Sequence, residues 1–253
     1  MHSRKVKIFP TLQNSIDKAL QMPIPEERTL ILHKLVEYIQ SKLDQGKDIN
    51  LNFICTHNSR RSQFSQIWAQ TAADYFGIPA NCYSGGVEVT AFNERAVESI
   101  KRSGFRVSAK GDVNPEYSIF QSDDRSPLIT FSKFFDDPIN KADQFAAVMT
   151  CSHADDNCPF IPGAEERIPI RYEDPKAFDD TAEESIMYDQ RSIQIASEMF
   201  YDFACAPARS FAKNIHWIFS LSSAVPIIQR CSTTSSFGEL GCDGNFGMDL
   251  FII

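Results

Sequence analysis

Between residues 50 and 203, short apolar runs alternate with amphipathic stretches, and this alternation limits the chain to few architectures. "NLNFIC" (50–55) reads as a buried strand. Residues 59–76 place Phe64, Ile67, Trp68, Ala72, Tyr75 and Phe76 on one helical stripe that stops at Gly77. "ANCYSGGVE" is a second strand running into a glycine turn. "AFNERAVESIKRSGF" is a helix, and "RVSAK" a third strand. "QFAAVMTC" (144–151) is another buried strand, "ERIPIR" a short fifth, and "TAEESIMYDQRSIQIASEMFYDF" a last helix with an acidic first turn. Strands separated by helices predict the α/β class, with a central parallel sheet of about four strands covered by helices. Ligands of such sheets bind beyond the carboxyl ends of the strands, where Cys55 and Cys151 both fall.

Outside this core, residues 1–48 are expected to form an N-terminal helical extension. Its second segment opens with Pro25, Glu26 and Glu27 and closes with Gly46. The amphipathic "LILHKLVEYI" suits either a cap on the sheet or a dimer contact. Residues 49–204 are the expected domain, with a polar insertion at about 107–143 that carries one apolar patch, "PLITFSKFF". Residues 205–253 break the pattern, with glycine at 238, 241, 244 and 247, and are expected to be no part of that domain.

Net charge of −8 argues against binding nucleic acid or an anionic membrane through bulk charge, so any anion site must be local. No run of about 18 apolar residues predicts a membrane span, and the start lacks the apolar core of a secretory signal. Seven cysteines, an odd number, without an export signal predict reduced thiols and a cytoplasmic protein.

Cys55 and Arg61 form a Cys-x5-Arg pattern between a strand and a helix. A loop that opens a helix presents free backbone N–H groups, which bind an oxyanion and stabilise a thiolate. Arg61 can grip two oxyanion oxygens together, which a lysine cannot. Ser59 and Ser62 can bond the sulfur or hold the loop, and Asn58 suits a left-handed position. The alternative is a structural cysteine at a strand end.

Cys151 and Cys158 stand six residues apart around "SHADDN". Three readings are open: a metal site with His153 and Asp155 or Asp156, although the usual shorter Cys-x2–4-Cys spacing is absent; two unrelated buried thiols; or a redox pair. Asp174 precedes Pro175, as in a common loop turn, with Glu173 as the neighbouring carboxylate.

"ICTHNSRRSQFSQIWAQ" resembles the phosphate-binding loop of the low-molecular-weight protein tyrosine phosphatase superfamily. Within that superfamily the closer likeness is to thioredoxin-coupled arsenate reductases, whose loop reads Cys-Thr-Gly-Asn-Ser-Cys-Arg-Ser-Gln. Here it reads Cys55-Thr56-His57-Asn58-Ser59-Arg60-Arg61-Ser62-Gln63, with His57 in place of a glycine and Arg60 in place of a cysteine, adding positive charge. The resemblance covers about residues 50–203 and implies a flavodoxin-like three-layer sandwich.

It also implies an arsenate reductase without cofactor or metal, with residues 56–60 and Ser62 as the oxyanion loop. Cys55 would attack arsenate, Cys151 would attack the Cys55 sulfur and free arsenite, and Cys158 would attack Cys151 to leave a disulfide for thioredoxin. Asp174 would be the general acid. A phosphomonoester hydrolase working through a phosphocysteine is the alternative. Lys176 and Ala177 after the Asp-Pro, with only Phe178 close, are unlike the aromatic wall of a phosphotyrosine slot. A non-catalytic redox sensor or oxyanion binder is a third reading.

Overall fold

The computed structural model describes residues 6–140, 143–157 and 160–211. Four strands form a parallel sheet: β1 (Ile49–Cys55), β2 (Ala80–Gly86), β6 (Phe145–Met149) and β7 (Ala164–Pro169), in the order β2-β1-β6-β7. Helices α3 (Arg61–Phe76) and α4 (Glu94–Arg102) follow β1 and β2, and α5 (Ser152–Asn157) follows β6. The long α6 (Glu184–Phe211) packs against α3 and α4. This is the α/β layout with a central parallel sheet that the alternation predicted.

β1 and β6 are buried over almost their whole length, as strands covered on both faces must be. From β1 the chain passes to β2 on one side, while β6 pairs on the other. The carboxyl end of β1 therefore lies at the switch point of the sheet, where side chains from two neighbouring loops converge.

One strand departs from expectation. Arg106–Lys110 (β3) does not join the parallel sheet. It pairs antiparallel with β4 (Glu116–Phe120), which pairs antiparallel with β5 (Leu128–Thr130) in a separate three-stranded sheet. β3 is mostly exposed, and its charged ends could not sit between two buried strands.

Helix α1 (Pro10–Gln21) lies within the expected helical extension, and α2 (Glu26–Gln45) forms where Pro25 and two glutamates predict a helix start. α2 ends at Gly46 with φ of 62°, the left-handed conformation that glycine adopts without strain. The α2 face carrying Leu32, Leu35, Val36 and Ile39 is buried against α6 and shares one core with α3 and the sheet. Among the described residues, no helix is long and apolar enough to cross a membrane. Cys158 and the tail beyond 211 lie outside the described residues.

Candidate active site

Cys55 ends β1 and is 4% exposed. Its Sγ lies 3.0 Å from Ser62 Oγ, in the first turn of α3. Ser62 Oγ accepts from Asn58 Nδ2 at 2.9 Å, which leaves the serine proton free to point at the sulfur.

Asn58 organises the loop. It is fully buried, with φ of 47°, a conformation asparagine tolerates better than most residues. Its Oδ1 accepts from the Lys133 backbone N–H at 3.0 Å and from Gln63 Nε2 at 3.1 Å. Gly86, at the end of β2, presses against the same loop. A Cβ there would stand 2.8 Å from both Asn58 N and Thr56 O, so only a glycine lets β2 approach.

Arg61 donates from Nη1 to the Tyr172 carbonyl at 2.9 Å and from Nη2 to Asp174 Oδ2 at 2.7 Å. Its buried Nε has no protein partner, so the Nε–H and the second N–H of each Nη are not used by these two bonds. Asp174 also caps the short 3-10 helix Pro175–Phe178, accepting from Lys176 N. Glu173, the rival carboxylate, is exposed. Arg60 is turned to the rim, where it donates to Tyr188 OH at 2.7 Å and meets Asp179 at 3.4 Å. Its charge is thus largely balanced by Asp179, and it lies 4.0 Å from Asp174. Burial, with the Asp179 hydrogen bond, raises the Tyr188 pKa against the opposing pull of Arg60.

His57, in the position of a glycine, is not among the described residues with positive φ. Its side chain faces outward to Glu88 at 3.1 Å, and its carbonyl accepts from Ser132 Oγ at 2.8 Å. Ser59 Oγ donates to Ala91 O at 2.7 Å and ties the loop to the start of α4.

The second thiol is close. Cys151, 1% exposed, stands just past β6, beside β1. Its Sγ is 3.5 Å from Thr56 Oγ1, which also lies 3.3 Å from His153 Nδ1. "SHADDN" forms the short helix α5. Asp155, whose carboxylate was one of the proposed metal ligands, is instead paired with Arg167 and Arg171.

Several supporting residues carried no sequence signal. Ser132, Lys133 and the Phe131 carbonyl, all in the apolar patch of the insertion, hold the loop at His57, Asn58 and Gln63. Lys133 is 2% exposed, and burial lowers its pKa to about 8. A cavity of about 350 Å³ lies elsewhere, between the Asp74 end of α3 and the β4–β5 sheet, and no residue of the Cys55 loop lines it.

An α/β protein with a Cys-x5-Arg loop at the switch point of a parallel sheet, and a second thiol just past the adjacent strand, is the class that fold and site define. No family model matches the chain. It is 33% identical over 123 residues to an arsenate reductase of Brevibacillus brevis, covering 49% of this chain and 74% of that protein. It is 32% identical over 139 residues to an arsenate reductase of Bacillus subtilis, covering 55% and 83%. A low-molecular-weight phosphotyrosine phosphatase from Vibrio cholerae aligns with a TM-score of 0.42 at 13% identity, over 65% of this chain and 97% of that one. On its sequence, the chain belongs to the arsenate reductase family.

Proposed function

We propose that this chain reduces arsenate to arsenite by a thiol relay. Cys55 thiolate attacks arsenic, an S–As bond forms, and one oxygen leaves after protonation by Asp174. Cys151 thiolate then attacks Cys55 Sγ. The S–As bond breaks with its electron pair on arsenic, which departs as arsenite, and a Cys55–Cys151 disulfide remains. Cys158 attacks Cys151 and expels the Cys55 thiolate. A dithiol protein of the thioredoxin type reduces the Cys151–Cys158 disulfide and is itself oxidised. The loop residues 56–60 and Ser62, with Arg61, hold the oxyanion.

The observation that carries this reading is the approach of Cys151 Sγ to Thr56, the residue after Cys55. Phosphoester hydrolysis needs only water after the first attack, whereas reduction needs a second thiol beside the first. The test is NADPH oxidation with thioredoxin and thioredoxin reductase, started by arsenate. Turnover lost in both Cys55→Ser and Cys151→Ser supports the relay. Phosphate release from an aryl phosphate that survives Cys151→Ser, with no arsenate turnover, makes the chain a phosphomonoesterase.

A further inference from the structure

The resemblance to the arsenate reductases begins near residue 50, yet α2 of the N-terminal extension reaches the support of Arg61. Arg28, in the first turn of α2, makes a two-pronged ion pair with Glu198 of α6, Nε to Oε1 at 2.9 Å and Nη2 to Oε2 at 2.7 Å. Both side chains are largely buried, 14% and 2% exposed. The same guanidinium lies over the ring of Tyr172, 4.7 Å from its centroid. Tyr172 is 4% exposed, and its carbonyl is the acceptor that holds Arg61 Nη1. Burial is the largest single influence on Arg28 and lowers its pKa, but the hydrogen bond and charge of Glu198, together with Tyr172, outweigh it and raise the pKa above its ordinary value.

We propose that Arg28 is a positioning residue for Arg61, acting through Tyr172, so that the N-terminal extension forms part of the oxyanion site. The proposal rests on the reading of Arg61 as an oxyanion ligand. A planar cation packed on a ring face fixes that ring in one rotamer. A fixed ring fixes the carbonyl two residues before Asp174, and with it the direction in which Arg61 presents its unpartnered Nε–H. A lysine at position 28 keeps a charge for Glu198 but lacks the flat, forked group that meets ring and carboxylate together.

The test uses the full chain and inorganic phosphate. Phosphate affinity is read from protection of Cys55 against iodoacetamide, quantified by mass spectrometry of the Cys55 peptide, with unfolding temperature measured in parallel. The double variant Arg28→Met/Glu198→Gln removes cation and anion together, so neither member of the pair is left buried without the other. It is expected to weaken phosphate protection about tenfold, within the range of coupling through contiguous packed groups. Arg28→Lys is expected to weaken it severalfold while staying folded. Wild-type protection in both variants overturns the proposal and leaves Arg28 as a tie between α2 and α6. If the double variant does not fold, Arg28→Lys decides alone, since a purely structural pair would lower its unfolding temperature without moving phosphate affinity. Lack of arsenate turnover in the wild type counts against the reductase reading and leaves this assay intact. Failure of phosphate to protect wild-type Cys55 overturns both.

Discussion

Arg61 Nη2 donates to Asp174 Oδ2 at 2.7 Å, so the arginine at the head of α3 is already engaged by the carboxylate proposed as general acid. An incoming oxyanion meets that carboxylate as a competitor for the same guanidinium and as a like charge. Asp174→Asn should therefore separate binding from turnover. Phosphate or arsenate should bind at least as tightly as in wild type, while turnover falls about 10²-fold or more with loss of the proton donor. Titration of phosphate protection beside steady-state rates checks this. Weaker binding with unchanged turnover would remove Asp174 from the chemistry.

Asn58 joins three parts of the site: Ser62 beside the thiol, Gln63 of α3, and the backbone of the insertion at Lys133. Asn58→Ala takes the acceptor from the buried Lys133 N–H, removes the side-chain bonds to Ser62 and Gln63, and places alanine at a φ of 47°. Stability should fall by about 2–4 kcal/mol, combining lost hydrogen bonds with left-handed strain, and arsenate turnover should drop with it. Urea unfolding measures the first. A loss below about 0.5 kcal/mol would mean that the loop holds itself without this side chain.

Gly86→Ala places a methyl group 2.8 Å from Asn58 N and Thr56 O, both backbone atoms of the loop. The loop or β2 must shift, which costs about 1–3 kcal/mol in a packed interior. Oxyanion affinity should fall at least tenfold. Protection of Cys55 by phosphate reads the effect, and unchanged affinity would show that the loop has slack there.

Lys133 gives a pH signature. Burial lowers its folded pKa to about 8 from an ordinary 10.5. Between those values the unfolded chain binds more protons, so this group's contribution to stability improves as pH rises. The cost of burying the charged amine is fully present below about pH 8 and fades toward 10.5. Lys133→Met should be more stable than wild type at pH 7 by up to about 3 kcal/mol, from 1.36 kcal/mol per pKa unit. That gap should shrink to about 1 kcal/mol or less by pH 10. Urea unfolding at the two pH values checks it, and a constant gap would contradict it.

The strand–loop–helix around Cys55 was legible because its signals are local: an apolar run, a cysteine, a polar loop and a helical stripe. Asn58 at positive φ follows from the same stretch. β3 forms over the segment that the sequence marks as a strand, but its sheet was not legible, because five residues with one apolar face do not distinguish a parallel from an antiparallel partner. Its charged, exposed ends, against the uniformly buried β6, were the available discriminator. The role of the insertion was hidden for another reason. Lys133 reaches Asn58 through its backbone N–H and Gly86 through its carbonyl, and Phe131 receives Gln63 on a carbonyl. Main-chain contacts leave no residue-type signature. Tyr172 likewise serves Arg61 by its carbonyl. The outward turn of His57 and the Arg60–Tyr188–Asp179 contacts depend on packing that no short motif encodes.

The relay is tested most directly by stopping it at its first disulfide. Cys158→Ser is treated with one equivalent of arsenate without reductant, quenched with an alkylating agent and digested. The account predicts a Cys55–Cys151 disulfide formed in step with arsenite, and absent without arsenate. Arsenite release with Cys151 still alkylatable, or no arsenate-dependent disulfide at Cys55, would contradict it.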